Sequence, residues 1–489
     1  MPNGFAYLVL LSWPLVTILL FRVLPLPKAI AWTIVAGYLF LPEQTGFDLP
    51  VLPQVDKTLI PALSAAVMAW VKLRDPATPR AAAAAPGIRK LFLALLALVF
   101  LNPFITALTN SEPVVVGTGV RFIPGLRLYD AFAILSQTLT MLIPFLLGRR
   151  FLTTEADHAA LLKVLALAGI AYCLPIFIEV RLSPQLNIWI YGFFPHSFVQ
   201  HIRAGGFRPL VFLDHGLSVA NFMVAAVLSA AALWNIRQDR GERLGWALVT
   251  ALLLGTLVLV KSLGALLIVM VLLPVMLIRP RRRFFVIALL AGTILIYPLL
   301  RGAGLVPVEW MMTTIEGFAP ERAQSFGFRL RNEEQLIERA NLKPFAGWGG
   351  WGRAQIHDET TGEMVSVADG AWIIVIGQGG WLRYLTIFGL LSLPIILLGA
   401  RFSRIRPGAA TAGLAVVLAA GLVDLLPNAP LTPLIWLLAG AMAGRAQAIS
   451  FAEPGPSMLE PSARSGRVPR QWNRTVHPER SRRGVRPSR

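Results

Sequence analysis

Apolar runs of about 17–22 residues recur along this chain, each long enough to cross a hydrocarbon core of roughly 30 Å. They are apolar on every face, which helices of soluble domains rarely are. In lipid each backbone N–H and C=O must find its partner within the segment, so such runs fold as helices. The spacing predicts spans near 5–24, 27–41, 58–73, 90–108, 129–147, 159–180, 211–234, 245–260, 263–278, 284–300, 373–400, 409–427 and 431–447. Only Arg22 and the Pro25–Leu26–Pro27 kink separate the first two, so they count as one broken unit or as two. The expected fold class is all-α: a polytopic membrane protein with about 12–13 transmembrane helices and one large periplasmic loop.

Composition narrows the partners. Of the 489 residues, 15% are charged and 55% hydrophobic, against about 25% charged in a soluble domain. A net charge of +19 would suggest nucleic acid in a soluble protein. Here the basic residues sit in short loops and beyond residue 454, which fits topology control and attraction to anionic membrane lipids instead. No nucleic-acid partner is expected. Cys173 is the only cysteine and falls in a span, so no intrachain disulfide can form. Phe5 to Phe21 leads into another apolar segment rather than a small-residue cleavage site, so no cleavable signal peptide is expected.

Charge also orients the bundle. The loop 72–90 holds Lys72, Arg74, Arg80, Arg89 and Lys90, and 148–163 holds Arg149, Arg150 and Lys163. Arg237, Arg240 and Arg243 follow, then Arg279 with Arg281, Arg282 and Arg283, then Arg401, Arg404 and Arg406. The positive-inside rule makes this set cytoplasmic. Loops 42–57, 109–128, 181–210 and 301–372 then become extracytoplasmic. The last is far longer than the four to six or so residues of most connections, and loops of that size carry function or are disordered. Arg329 to Leu342 mixes Leu330, Leu336 and Ile337 with charges, which suits an amphipathic helix lying on the membrane-facing side. Residues 1–450 therefore read as the transmembrane domain. Residues 451–489, rich in Arg, Pro and Ser, read as a disordered cytoplasmic tail.

Three constellations could carry chemistry. The first runs from His201 through Arg203-Ala204-Gly205-Gly206-Phe207-Arg208-Pro209 to Asp214-His215-Gly216. Arg203 and Arg208 flank a Gly-Gly turn and can present guanidinium forks to one phosphate pair, or else anchor the span at the interface. Positive charge on the extracytoplasmic side runs against the general bias, which favours a specific anionic partner. Asp214 and His215 form an acid/base pair or supply counter-charges to the arginines. The second constellation, Lys261-Ser262, lies between two apolar runs with almost no loop. Lys261 either snorkels to the outer interface or makes a second phosphate contact.

The third lies in the large loop. Arg329, Arg331 and Arg339 share a helix with Glu333, Glu334 and Glu338, mostly as a solvated, ion-paired face. Trp348 and Trp351, within Gly347–Gly352, offer faces for sugar stacking or mark the membrane interface, and Arg353 follows. Asp369, before the next span, is a base, a binder of substrate hydroxyls or a helix N-cap. No phosphate-binding Gly-x-x-x-x-Gly-Lys-Ser/Thr loop, no His/Cys/Asp cluster with zinc spacing and no Gly-x-Ser-x-Gly elbow occurs, so neither ATP nor a metal cofactor is expected.

In their order these pieces resemble the O-antigen ligase and polymerase superfamily of bacterial envelopes. The resemblance rests on Arg203-Ala-Gly-Gly-Phe-Arg208-Pro before a span and on Lys261-Ser262-Leu263-Gly264 between spans. It extends through the loop from Arg331 by Pro344-Phe-Ala-Gly-Trp-Gly-Gly-Trp-Gly352 to Asp369-Gly-Ala-Trp and Gly377-Gln-Gly-Gly380. It implies a glycosyltransferase in the bacterial inner membrane with its active site facing the periplasm. The donor would be a glycan on undecaprenyl pyrophosphate, and the acceptor a hydroxyl of a glycan or of lipid A-core. Carried over, the family's pyrophosphate-binding arginines fall on Arg203 and Arg208. Many ligases have a His-Asn pair where this chain reads Asp369-Gly370, so the base is Asp369, or else His215 or His357. The competing classes are a transporter or flippase of lipid-linked glycans and a non-catalytic subunit of a polysaccharide export complex. No clear internal repeat, common in transporters, is visible, and a single long outer loop favours an enzyme.

Overall fold

The computed structural model describes residues 1–448 except 49–52, 75–84, 119–120, 204, 237–238 and 319; the side chains of 203, 318 and 320–322 are also not described. The tail expected to be disordered, 451–489, thus lies outside the described residues. The chain begins with α1 (Gly4–Val23), α2 (Leu26–Phe40), α3 (Leu59–Leu73), α4 (Pro86–Leu108), α5 (Leu128–Phe151), α6 (Glu155–Leu182) and a short α7 (Leu186–Tyr191). It continues with α8 (Gly216–Ile236), α9 (Arg240–Leu259), α10 (Leu263–Val275), α11 (Pro280–Gly302), α12 (Val308–Phe318) and α13 (Pro320–Asn341). Last come α14 (Ala371–Ala400), α15 (Phe402–Ile405), α16 (Ala409–Asp424) and α17 (Pro433–Gln447).

Eight of these, α1, α4, α5, α6, α8, α9, α11 and α14, are long and apolar enough to cross a membrane, and α2, α3, α10 and α16 are shorter apolar helices. Together with α17 they fall on the predicted segments one for one. The first two are separate helices. Pro25 and Pro27 end one and start the next, since proline lacks the N–H that a helix interior needs and is tolerated in a first turn. Polar caps start others: Thr154 accepts from the Asp157 N–H, and Asp239 from Glu242.

At the centre of the bundle lie α8, α16 and α17, whose small residues let backbones meet. A Cβ on Gly440 would lie 2.1 Å from the Phe145 carbonyl oxygen, and one on Gly444 2.6 Å from that of Arg149. Gly440-x-x-x-Gly444 is therefore where α17 docks along α5. The loops gather in two sets. At the basic end, Arg401 donates to the Ala446 carbonyl at 2.5 Å and Arg149 to Gln447 at 3.0 Å. At the other end the loops after α2, α4, α7 and α11 touch one another: Gln44 donates to the Pro195 carbonyl at 2.6 Å, and Arg353 to that of Pro124 at 2.7 Å. This second end holds three small antiparallel hairpins: β1–β2 (Gly46–Phe47, Val55–Asp56), β3–β4 (Val114–Val116, Arg121–Ile123) and β5–β6 (Ile202–Arg203, Gly206–Phe207).

The long connection between α11 and α14 is ordered. The amphipathic helix expected at 329–342 is α13, which starts nine residues earlier at Pro320 and follows a second helix, α12. After α13 the chain docks onto a break in α14. Gly380 leaves helical geometry at φ 65°, ψ −169°, which frees peptide groups that the loop then satisfies. The Trp381 N–H donates to the Pro344 carbonyl at 2.7 Å, and the Trp348 N–H to that of Gly377 at 2.9 Å. From α4, Asn102 donates to the Gly379 carbonyl and Thr106 to that of Ala346, at 3.0 and 2.7 Å. Only glycine fits here: a Cβ on Gly380 would lie 2.3 Å from the Phe345 carbonyl oxygen.

Candidate functional site

The segment between α7 and α8 carries the first constellation, and a buried carboxylate holds it in place. Glu179 of α6 accepts from the N–H groups of Leu186, Leu210 and Val211 at 3.0, 2.7 and 2.7 Å. Three N–H donors are what an otherwise costly buried carboxylate requires. The predicted span at 211–234 accordingly starts later, at Gly216, because Leu210–His215 is a turn bonded to Glu179 rather than helix. Val211 sits at φ +55° within that turn. Lys57, paired with Glu43 at 2.6 Å, donates to the Phe212 carbonyl and ties the α2–α3 loop to the same turn.

On this support stands the hairpin β5–β6. The Gly205 φ of +68° suits the tight connection. The Arg208 N–H donates to the His201 carbonyl at 2.7 Å, closing the hairpin's base. The Arg208 side chain is buried, and its Cδ and Nε would lie 2.8 Å from a Cβ on Gly216. Lys261 arrives from the α9–α10 turn, and its Nζ would lie 2.5 Å from a Cβ on Gly206. Lys261 holds φ +57°, a conformation that costs a non-glycine residue about 1–3 kcal/mol and is kept where surroundings demand it. Lys261 thus reaches the hairpin itself, the buried Arg208 side chain packs at Gly216 just beyond it, and the side chain of Arg203 lies outside the described residues.

His215 caps α8: its Nδ1 accepts the Leu217 N–H at 3.0 Å. Asp214 beside it is exposed and within electrostatic reach of Tyr38 and Glu43. Tyr38 lines a small cleft, with Asn221, Gly421 and Thr432, between α2, α8, α16 and α17. The sequence showed no histidine cluster of zinc spacing, yet His196 and His201 join His215, with ligand atoms mutually within 4.8 Å. His196 carries no motif, and the chain before it is held by Gln44 at the Pro195 carbonyl and by Asn187 at that of Phe193.

The third constellation divides. Asp369 pairs with Arg329 at 3.1 Å, and both are about one-third exposed. The N-cap of α14 is Gly370, without a side-chain cap, so the cap reading for Asp369 does not hold. Arg331 is exposed. Trp348 donates to the Arg339 carbonyl at 2.8 Å, and its ring lies under the Arg339 guanidinium at 3.7 Å and the Lys343 ammonium at 4.7 Å. Trp351 is 56% exposed and offers a free-standing aromatic surface. Arg353 is buried, and its guanidinium donates to the carbonyls of Trp348, Pro124 and Glu112 at 3.0, 2.7 and 3.0 Å. That engagement fastens the loop to β3–β4.

Glu333 departs from the solvated face expected of it. It is buried beside Arg301 and Trp372, while Glu334 and Glu338 are exposed. Burial, only partly offset by Arg301, pushes its carboxyl up to about 7. Periodicity could have marked it, since Glu333 shares the α13 stripe of Leu336, Ile337 and Ala340. His357 lies in the same loop, where burial and the nearby Arg339 push its ring down. Set against known proteins, the chain matches no family model, and no curated protein is significantly similar to it.

Proposed function

We propose that the chain is a glycosyltransferase of the O-antigen ligase or polymerase kind in the bacterial inner membrane, with its site facing the periplasm. It moves a glycan from undecaprenyl pyrophosphate to a sugar hydroxyl, on another glycan or on lipid A-core. One observation carries this reading: Lys261, 53 positions from Arg208 in sequence, reaches Gly206 in the hairpin whose base the Arg208 N–H closes. Two cations at a hairpin backbone suit a pyrophosphate, and Arg203 lies in the same hairpin. Chemically the step is a displacement. The acceptor oxygen bonds to the anomeric carbon as the bond to pyrophosphate breaks, the pyrophosphate leaves with the electron pair, and the hydroxyl proton passes to a base. The cations stabilise the charge that grows on the leaving group.

Asp214 and Asp369 are the carboxylates proposed for that proton. With Nδ1 accepting the Leu217 N–H, a neutral His215 keeps its proton on Nε2 and serves better as a donor to phosphate. Trp351 and Arg331 are the exposed groups proposed to receive the acceptor glycan, while Trp348 and Arg353 have the framework contacts described above.

The test is transfer from lipid-linked donor by purified protein, with Arg203→Lys and Arg208→Lys. Lysine keeps the charge and loses the fork, so turnover should fall about 100-fold with thermal unfolding little changed. Full activity in both variants would return the arginines to interface anchors. No transfer by the wild type, with donor moved across vesicles, would instead favour a flippase. For orientation, a cysteine at Ser325 should react with an impermeant thiol reagent in intact spheroplasts. Reaction only after lysis would reverse the sidedness.

A further inference from the structure

We propose that His196, His201 and His215 form a binding site for a transition-metal dication of the zinc class. Three of the chain's six histidines meet here, each offering a nitrogen within 4.8 Å of the others. Their ring centres are 4.7, 5.4 and 5.8 Å apart. A tetrahedral ion holding three imidazoles at about 2.0–2.1 Å would place the ring centres roughly 5 Å apart. The planes are inclined to one another by 71°, 53° and 77°, as rings radiating from a shared point are, rather than stacked.

The surroundings fit a ligand set. The His201 Nδ1 faces the Arg208 carbonyl at 3.3 Å, and since a carbonyl only accepts, the proton resides on Nδ1. That is the outer contact metal-binding histidines usually make, and it turns Nε2 into the ligand atom. His215 joins by exchanging one bond, the Leu217 N–H that its Nδ1 now accepts, for the metal. The all-imidazole set selects zinc, copper or nickel over magnesium and calcium. His196 is exposed, so the fourth position opens to the outside, as in sites that admit an outside ligand.

This inference does not rest on glycan transfer, and its test uses no donor. Full-length protein purified without a histidine tag is stripped with chelator and titrated with zinc, and separately with cobalt. The wild type should take up about one zinc per chain, and its cobalt form should show the visible bands of a tetrahedral site. His196→Ala removes an exposed ring and His215→Gln a partly buried one, and each should weaken zinc binding more than about tenfold. His357→Ala should bind as the wild type does. Equal zinc uptake by the wild type, His196→Ala and His215→Gln, or no tetrahedral cobalt spectrum, would leave the trio as packed rings and end the proposal. Loss of transfer activity with zinc binding intact would count against the glycan reading alone.

Discussion

At Gly377–Gly380 and at Gly205–Gly206 the chain sets glycines against another element, but what approaches them differs. At the first site it is backbone: Pro344–Gly349 lies in the break of α14, and carbonyls meet N–H groups directly. At the second it is the tip of a side chain, the Lys261 ammonium over Gly206. A rigid backbone cannot retreat from an added methyl group, whereas a lysine can. Two motifs that look alike in sequence should therefore fail differently, one by losing the fold and the other by losing a position.

The largest effect is expected at Gly380. Alanine there would be strained at φ +65° and would strike the Phe345 carbonyl, costing at least about 3 kcal/mol and undocking the large loop. Membrane abundance and thermal unfolding read this out. A Gly380→Ala protein as stable as the wild type would show that the docking is incidental.

Glu333, on the docked side, should give stability a pH dependence of similar size. Its folded carboxyl stands near 7, above the ordinary glutamate value of 4.5. As pH rises between those values the unfolded chain loses its proton while the folded one retains it, so stability falls, by up to about 3 kcal/mol. Above 7 the loss is complete. Glu333→Gln should flatten thermal unfolding across that window, and an unchanged slope would place the titration elsewhere.

Gly206→Ala should sharpen the contrast. Unfolding should shift by less than about 1 kcal/mol because Lys261 can move, while transfer falls about 10- to 100-fold as the ammonium is displaced. Smallest of all is Asp369→Asn. It breaks a pair with Arg329, each about one-third exposed, worth about 1 kcal/mol or less. A large fall in transfer with stability intact would make Asp369 the base, and unchanged transfer would leave that task to Asp214.

Much of the bundle was legible because a membrane leaves the backbone few choices. Run length alone located α1, α4 and α14, and Pro25 and Pro27 marked the break between α1 and α2. The start of α8 was misread because Leu210–Leu213 is as apolar as a span, and its turn comes from Glu179, thirty residues upstream. Arg208 and Lys261 could be named as candidates from charge in apolar surroundings, yet nothing local says that one is seated against Gly216 and the other against Gly206. For the large loop, Trp348 suggested sugar stacking by composition, while its contacts are internal.

The sequence by itself determined that the chain is a helical membrane protein, where its apolar segments lie and which loops share a charge sign. Hydropathy and charge are sums over neighbours, and such sums need no tertiary information. Only the tertiary structure decided which polar groups serve as framework and which converge. The seat of Arg353 among three carbonyls, the burial of Glu333 and the meeting of His196, His201 and His215 each depend on elements far apart in the chain. Burial and hydrogen bonding are properties of packed neighbours, so they exist only once the helices have packed.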